Sequence, residues 1–184
     1  MAATDVQTIL DDLTLCSKDI EAFRSLSLVQ FNYKPDVSKW SVAQCVDHLR
    51  LANRAYEKVI VETLEPNRKS SFWERVPLLP GVFGNVLVNA LEPGRRGIRT
   101  TESFEPAQSS FELSLLDDFS VSQQSIREAI ESVSHLEMRK LIVTSVFAKF
   151  VVYSLYDACR IVAVHERRHI VQAQNVIASE GYPD

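Results

Sequence analysis

Residues Ser154 to Ser179, SLYDACRIVAVHERRHIVQAQNVIAS, decide the fold. Leu155, Ala158, Ile161, Val162, His165, His169, Ala173 and Val176 recur at intervals of three and four. That spacing places them on one side of a helix of about seven turns, with charged residues on the other. His165 and His169 share this inward side. Positions i and i+4 stand one above the other on a helix, so the two imidazoles can converge on one point.

Three further stretches carry the same period. From Val6 to Val29 the stripe is Val6, Ile9, Leu13, Cys16, Ile20, Phe23 and Ser27. A second helix is expected to open at Ser41, with Gln44 closing a capping box, and to end before Pro66. Its stripe is Val42, Cys45, Leu49, Ala52, Tyr56, Val59 and Ile60, and His48 borders it. A third fits Leu115 to Leu136, with Phe119, Ser122, Ile126, Ile130 and Val133 facing in. The Asn32 to Lys39 stretch, broken by Pro35, reads as a loop.

Between Pro66 and Pro106 lie five of the seven prolines and four of the five glycines. This is a long connection with a short helix expected around Val82 to Leu91, and connections of this length often cover binding sites. Leu141 to Val152 is rich in β-branched and aromatic residues. With no other strand to pair with, it reads as the entry to the last helix. Four amphipathic helices with one long crossover after the second predict an all-α, four-helix-bundle domain spanning residues 1–184.

Composition narrows the function. A net charge of −4 argues against a general nucleic-acid binder. Lys149 and Asp157 interrupt the longest apolar run, Leu141 to Val164, before it could span a membrane. The first residues carry Asp5, Asp11 and Asp12 and do not resemble a secretory leader. Cys16, Cys45 and Cys159 are odd in number and lie on helical patterns, so they read as reduced thiols of a cytoplasmic protein. Val143, Val146, Phe147 and Phe150 offer an apolar face on which a homodimer could form.

Neutral imidazoles suit zinc, nickel, copper and iron, and bundle cores house metals between facing helices. Spacing alone leaves two readings: His48, His165 and His169 as ligands of one ion, or as boundary and surface histidines. His-Glu-Arg-Arg-His also matches the His-Glu-x-x-His helix of metalloproteases, with Glu166 as general base. Only fifteen residues follow His169, and no strands shape a protease cleft, which disfavours that reading.

Other residues admit a bland and a functional reading. Asp47 and Glu166 adjoin histidines in sequence, but i+1 neighbours point about 100° apart, so both are expected in solvent rather than against an imidazole. Arg167 and Arg168 read as a solvated face, with Arg168 alternatively bridging to a carboxylate. Cys45 lies one turn before His48 and is read as a buried thiol rather than a ligand. His135 is expected near a helix end. Arg95, Arg96 and Arg99 either attract an anionic substrate or belong to a solvated loop. Tyr56 and Tyr153 either line a cavity or are core.

At the level of motifs, Trp40-Ser-Val-Ala-Gln-Cys-Val-Asp-His-Leu49 resembles the W-S-x-x-E-x-x-x-H-L segment of the DinB-like (YfiT-like) metalloenzymes. Val164-His-Glu-Arg-Arg-His-Ile-Val-Gln-Ala173 resembles their H-x-x-R-H-x-x-Q segment, and Gly97 to Pro106 is similar to a loop of many members. The resemblance runs in order from Pro35 to Val176. It departs at Gln44, where many members have glutamate, and at Phe147 to Val152, where many have a Pro-Leu-Gly-like turn. It implies a four-helix bundle holding nickel or zinc through His48, His165 and His169. It also implies thiol-dependent transferase or isomerase chemistry with a small thiol such as bacillithiol or mycothiol. Metal-dependent hydrolysis is the runner-up, and a non-catalytic metal-binding stress module the third reading.

Overall fold

The computed structural model describes residues 2–76, 79–95, 104–106 and 108–184. In chain order the described elements are α1 (Ala2–Glu21), α2 (Leu28–Asn32), α3 (Val42–Glu62), α4 (Leu79–Leu91), α5 (Leu115–Val133), β1 (Ile142–Thr144), β2 (Val152–Ser154) and α6 (Leu155–Ile177). The long helices α1, α3, α5 and α6 form the expected bundle. Both α1 and α3 pack against α5 and α6, and the crossover joins α3 to α5. No described helix is long and apolar enough to cross a membrane.

The expected helix from Val6 to Val29 is divided. After α1 a 3-10 turn at Ala22–Ser25 ends in extended backbone at Leu26, and α2 starts anew. Ser27 accepts from the Gln30 backbone while the Gln30 side chain accepts from the Ser27 N–H. This capping box satisfies both donors and favours a fresh start over continuation. The expected stripe is buried from Val6 to Phe23, Ser27 is exposed at the break, and Phe31 of α2 returns to the core. The Ser41 and Gln44 capping box at the start of α3 forms as expected. Gln44 also donates to the Gln108 carbonyl, which ties the returning crossover to α3.

The stretch before α6 is not a helix entry. Its strand has a partner after all, in the segment that follows it: Ile142 faces Ser154, Val143 faces Tyr153 and Thr144 faces Val152 in an antiparallel pair. Ser154 then caps α6 by accepting from the Asp157 N–H. Most of the hairpin's apolar residues turn inward. Val143 is fully buried, Val146 and Phe147 pack on the core, and only Phe150 of that set is exposed.

Within the crossover, α4 packs against α6 and β2. Gly84 makes that approach possible, because it abuts the Asp157 side chain. A Cβ at Gly84 would fall on the carboxylate and lie 2.9 Å from the Asp157 Cβ. Asp157 cannot easily withdraw, since its oxygens accept from Ser154 Oγ at 2.7 Å and Arg160 at 3.0 Å. Gly84→Ala is therefore expected to destabilise the protein by about 1–3 kcal/mol through overpacking. A lower urea midpoint with an unchanged slope would show this; an unchanged midpoint would mean α4 is not held against α6.

A candidate metal centre of three histidines

The three histidines meet. His48 on α3 and His165 and His169 on α6 are all buried, and their ligand atoms lie within 4.8 Å of one another. His48 Nδ1 is 2.7 Å from the Phe104 carbonyl. A carbonyl can only accept, so Nδ1 carries the proton and His48 Nε2 keeps its lone pair. That lone pair faces His165 Nε2 at 3.0 Å. Two nitrogens bound about 2.0–2.1 Å from one tetrahedral ion stand roughly 3.3 Å apart, so a shared cation fits this pair with little movement. His169 Nδ1 is buried with no hydrogen-bond partner, and ligation of its ring would offset part of that desolvation cost.

Electrostatics match this donor set. Burial is the main reason all three imidazoles titrate below the ordinary histidine value. The neighbouring imidazoles and Arg168 lower His165 and His169 further, whereas Phe104 and Asp47 partly offset the shift of His48. Neutral imidazole is the form that binds metal. Aromatic rings fix the orientation of the imidazoles. Trp40, just before the Ser41 cap, stacks on His169 at 5.7 Å between centroids and tilts against His48 at 4.9 Å. Phe147 lies 5.8 Å from the His165 ring. The histidines line a cavity of about 680 Å³ between α6, α4 and the hairpin.

Glu166 and Asp47 correct the expectation of solvent. Glu166 is fully buried and accepts from Asn53 and Gln123, each at 2.8 Å. Gln123 also donates to the Leu13 carbonyl, so this polar layer joins α1, α3, α5 and α6. Desolvation pushes the Glu166 carboxyl up to about 7 despite hydrogen bonds that favour its anion. It faces the bundle interior while its neighbour His165 lines the cavity, so it does not serve as the base of a His-Glu-x-x-His protease. Asp47 is buried against Arg50 at 2.6 Å.

The remaining candidates separate clearly. Arg167 pairs with Asp12 at 3.0 Å. Arg168 bonds no carboxylate among the described residues; it donates to the Glu92 and Arg95 carbonyls at 3.2 and 3.1 Å, just past the end of α4. Cys45 is buried in the core, outside the histidine cluster. Tyr56 and Tyr153 bond one another at 3.1 Å in the core. His135 is exposed just beyond α5, Arg95 is exposed, and Arg96 and Arg99 lie outside the described residues. Two contributors went unrecognised in the sequence: Trp40 as the stacking partner and the Phe104 carbonyl as the orienting acceptor. A backbone carbonyl carries no residue-type signal, whereas an aromatic just before a helix cap facing two histidines could have been found.

Burial of neutral histidines gives a defined pH response. Their folded values lie below the unfolded value, so acidification protonates the unfolded chain first and stability is lost as pH falls below about 6.5. Glu166 acts oppositely: its raised folded value contributes stability at low pH that is lost as pH rises through about 7. With three imidazoles against one carboxyl, the melting temperature of metal-free protein should fall between pH 7 and pH 5. The His165→Asn, His169→Asn variant should flatten that fall. An equally steep fall in the variant would show that the imidazoles are not neutral in the folded state.

No curated protein and no solved structure gives a significant match to this chain. The sequence model of the DinB superfamily matches residues 20–173, which includes all three histidines, the whole of α3 and α5, and α6 as far as Ala173. With that match over most of its length, and with the three-histidine cluster built between α3 and α6, the chain belongs to the DinB superfamily.

Proposed function

We propose that this protein is a metal-dependent enzyme that transfers or rearranges groups on a low-molecular-weight thiol, with His48, His165 and His169 holding nickel or zinc. The observation that carries the reading is the convergence of three buried, neutral imidazoles on the lining of a cavity large enough for a small molecule. Three protein ligands leave at least one coordination position for a ligand from the cavity. A divalent transition metal bound there would act as a Lewis acid and lower the pKa of a group delivered to it.

The chain's own groups favour a thiol over water. No Asp or Glu is among the described residues lining the cavity, and Glu166 is turned into the bundle. A thiol near pKa 8.5 needs only a small shift to ionise at neutral pH, while water at about 15.7 needs a large one. Trp40 and Phe147 shield the imidazoles, and the Phe104 carbonyl holds the His48 proton on Nδ1. The three free, buried cysteines support placement in a reducing compartment such as the cytoplasm.

Elemental analysis of protein reconstituted with nickel or zinc should find about one ion per chain, and the His165→Ala, His169→Ala variant should lose it. The loaded protein should accelerate conjugation of a small thiol to an electrophile at least a hundredfold over the His48→Ala variant. Metal-dependent ester hydrolysis without any thiol would transfer the assignment to a hydrolase. Stoichiometric metal with neither activity would leave a binding module.

A further inference from the structure

His169 lacks what His48 has. A histidine that gives one ring nitrogen to an ion keeps its proton on the other, and a buried N–H needs an acceptor. The Phe104 carbonyl is that acceptor for His48, at 2.7 Å. On His169 the buried Nδ1 has no hydrogen-bond partner. Trp40 stacks on one face of the ring, with the two planes 24° apart. Stacking fixes the plane of an imidazole but tolerates a half-turn about the Cβ–Cγ bond, which exchanges each nitrogen with a carbon. Only a hydrogen bond at the ring edge tells the two settings apart.

Gln172 is the side chain placed to supply that bond. It follows His169 by three residues on α6 and lines the same cavity. Residues i and i+3 share a helix face and side chains lean toward the N-terminus, so Gln172 reaches back toward the His169 ring. Burial, His48 and Arg168 all favour the neutral ring of His169. The Gln172 side chain alone favours the protonated one, as an amide does when it presents its carbonyl. Gln172 is half-buried and its amide bonds no other residue among those described. No carboxylate is among the described residues lining the cavity, so no stronger acceptor competes for the ring. We propose that Gln172 is the positioning residue of His169. Its side-chain carbonyl accepts the proton on the ring nitrogen not given to the ion, and so holds the other nitrogen toward His48 and His165. This rests on reading the three histidines as a metal centre and is independent of the thiol chemistry.

Zinc affinity, measured by competition with a fluorescent zinc chelator, tests this role in Gln172→Met, Gln172→Glu and Gln174→Met. Methionine keeps the length of glutamine and removes the acceptor, whereas glutamate keeps an acceptor oxygen. Gln174 is exposed on the same helix, so its variant controls for the effect of methionine on α6. Gln172→Met should weaken zinc binding about ten- to hundredfold. Gln172→Glu should bind zinc at least as tightly as the unaltered protein, and Gln174→Met should match it. Nitrogen-15 spectra of the zinc-loaded protein should show a ring N–H of His169 that exchanges slowly with water, and faster in Gln172→Met.

Unchanged zinc affinity in Gln172→Met, or an equal loss in Gln172→Glu or Gln174→Met, overturns the proposal and leaves the metal centre standing. Unaltered protein that takes up no zinc removes the metal centre itself, and the role of Gln172 falls with it.

Discussion

The hydrogen bonds that Glu166 accepts from Asn53 and Gln123 are the constraint on which the bundle's register depends. Through Gln123 and the Leu13 carbonyl the same layer reaches α1. It divides the core into two apolar clusters. Tyr56, Ile126 and Val162 lie on one side, and Leu49, Phe119 and Ile170 on the other. Apolar stripes alone allow helices to slide by a turn at modest cost. A buried carboxylate whose donors come from two other helices does not, because any slip strands a charge or an amide in the core. Sharing α6 with Glu166 and α3 with Asn53, the histidines inherit that register.

The cavity follows from what packs around α6 beyond the four long helices. The hairpin ends in Ser154, the cap of α6, so the turn bearing Phe147 is tied to the start of the helix that carries two histidines. On the other side, Gly84 lets α4 approach Asp157, and Arg168 holds carbonyls just past the end of α4. Arg168 is one residue from His169, so one short segment both supplies an imidazole and anchors the opposing wall. Imidazoles built on helices and wedged by Trp40 and Phe147 are held more rigidly than ligands on loops would be.

Much of this was legible residue by residue. The four apolar stripes, the Ser41 capping box and the i, i+4 histidine pair are local patterns, and local patterns follow from helix geometry. The convergence of His48 with that pair was suggested by motif and realised by packing. The misreadings share a cause. Ile142 looked unpaired because its partner, Ser154, was assigned to the start of a helix. Ser27 looked like one more position on a stripe although it begins a capping box with Gln30. Glu166 and Asp47 looked solvent-bound because the amides and the guanidinium that receive them cannot be assigned before the helices are placed.

What the sequence determined by itself is therefore the set of helices, their inward faces and the three residues able to ligate one ion. The helices and their faces depend on spacing along one chain, while the histidine set came from motif resemblance, since spacing alone left two readings open. Only the tertiary structure decided that Glu166 faces the bundle while its neighbour His165 faces the cavity. The structure likewise decided that the Phe104 carbonyl sets the proton on His48, and that Leu87, Phe147 and Arg168 line one cavity with the histidines. Those outcomes depend on which groups desolvate together. Burial sets their cost only when partners from distant segments arrive at hydrogen-bonding distance.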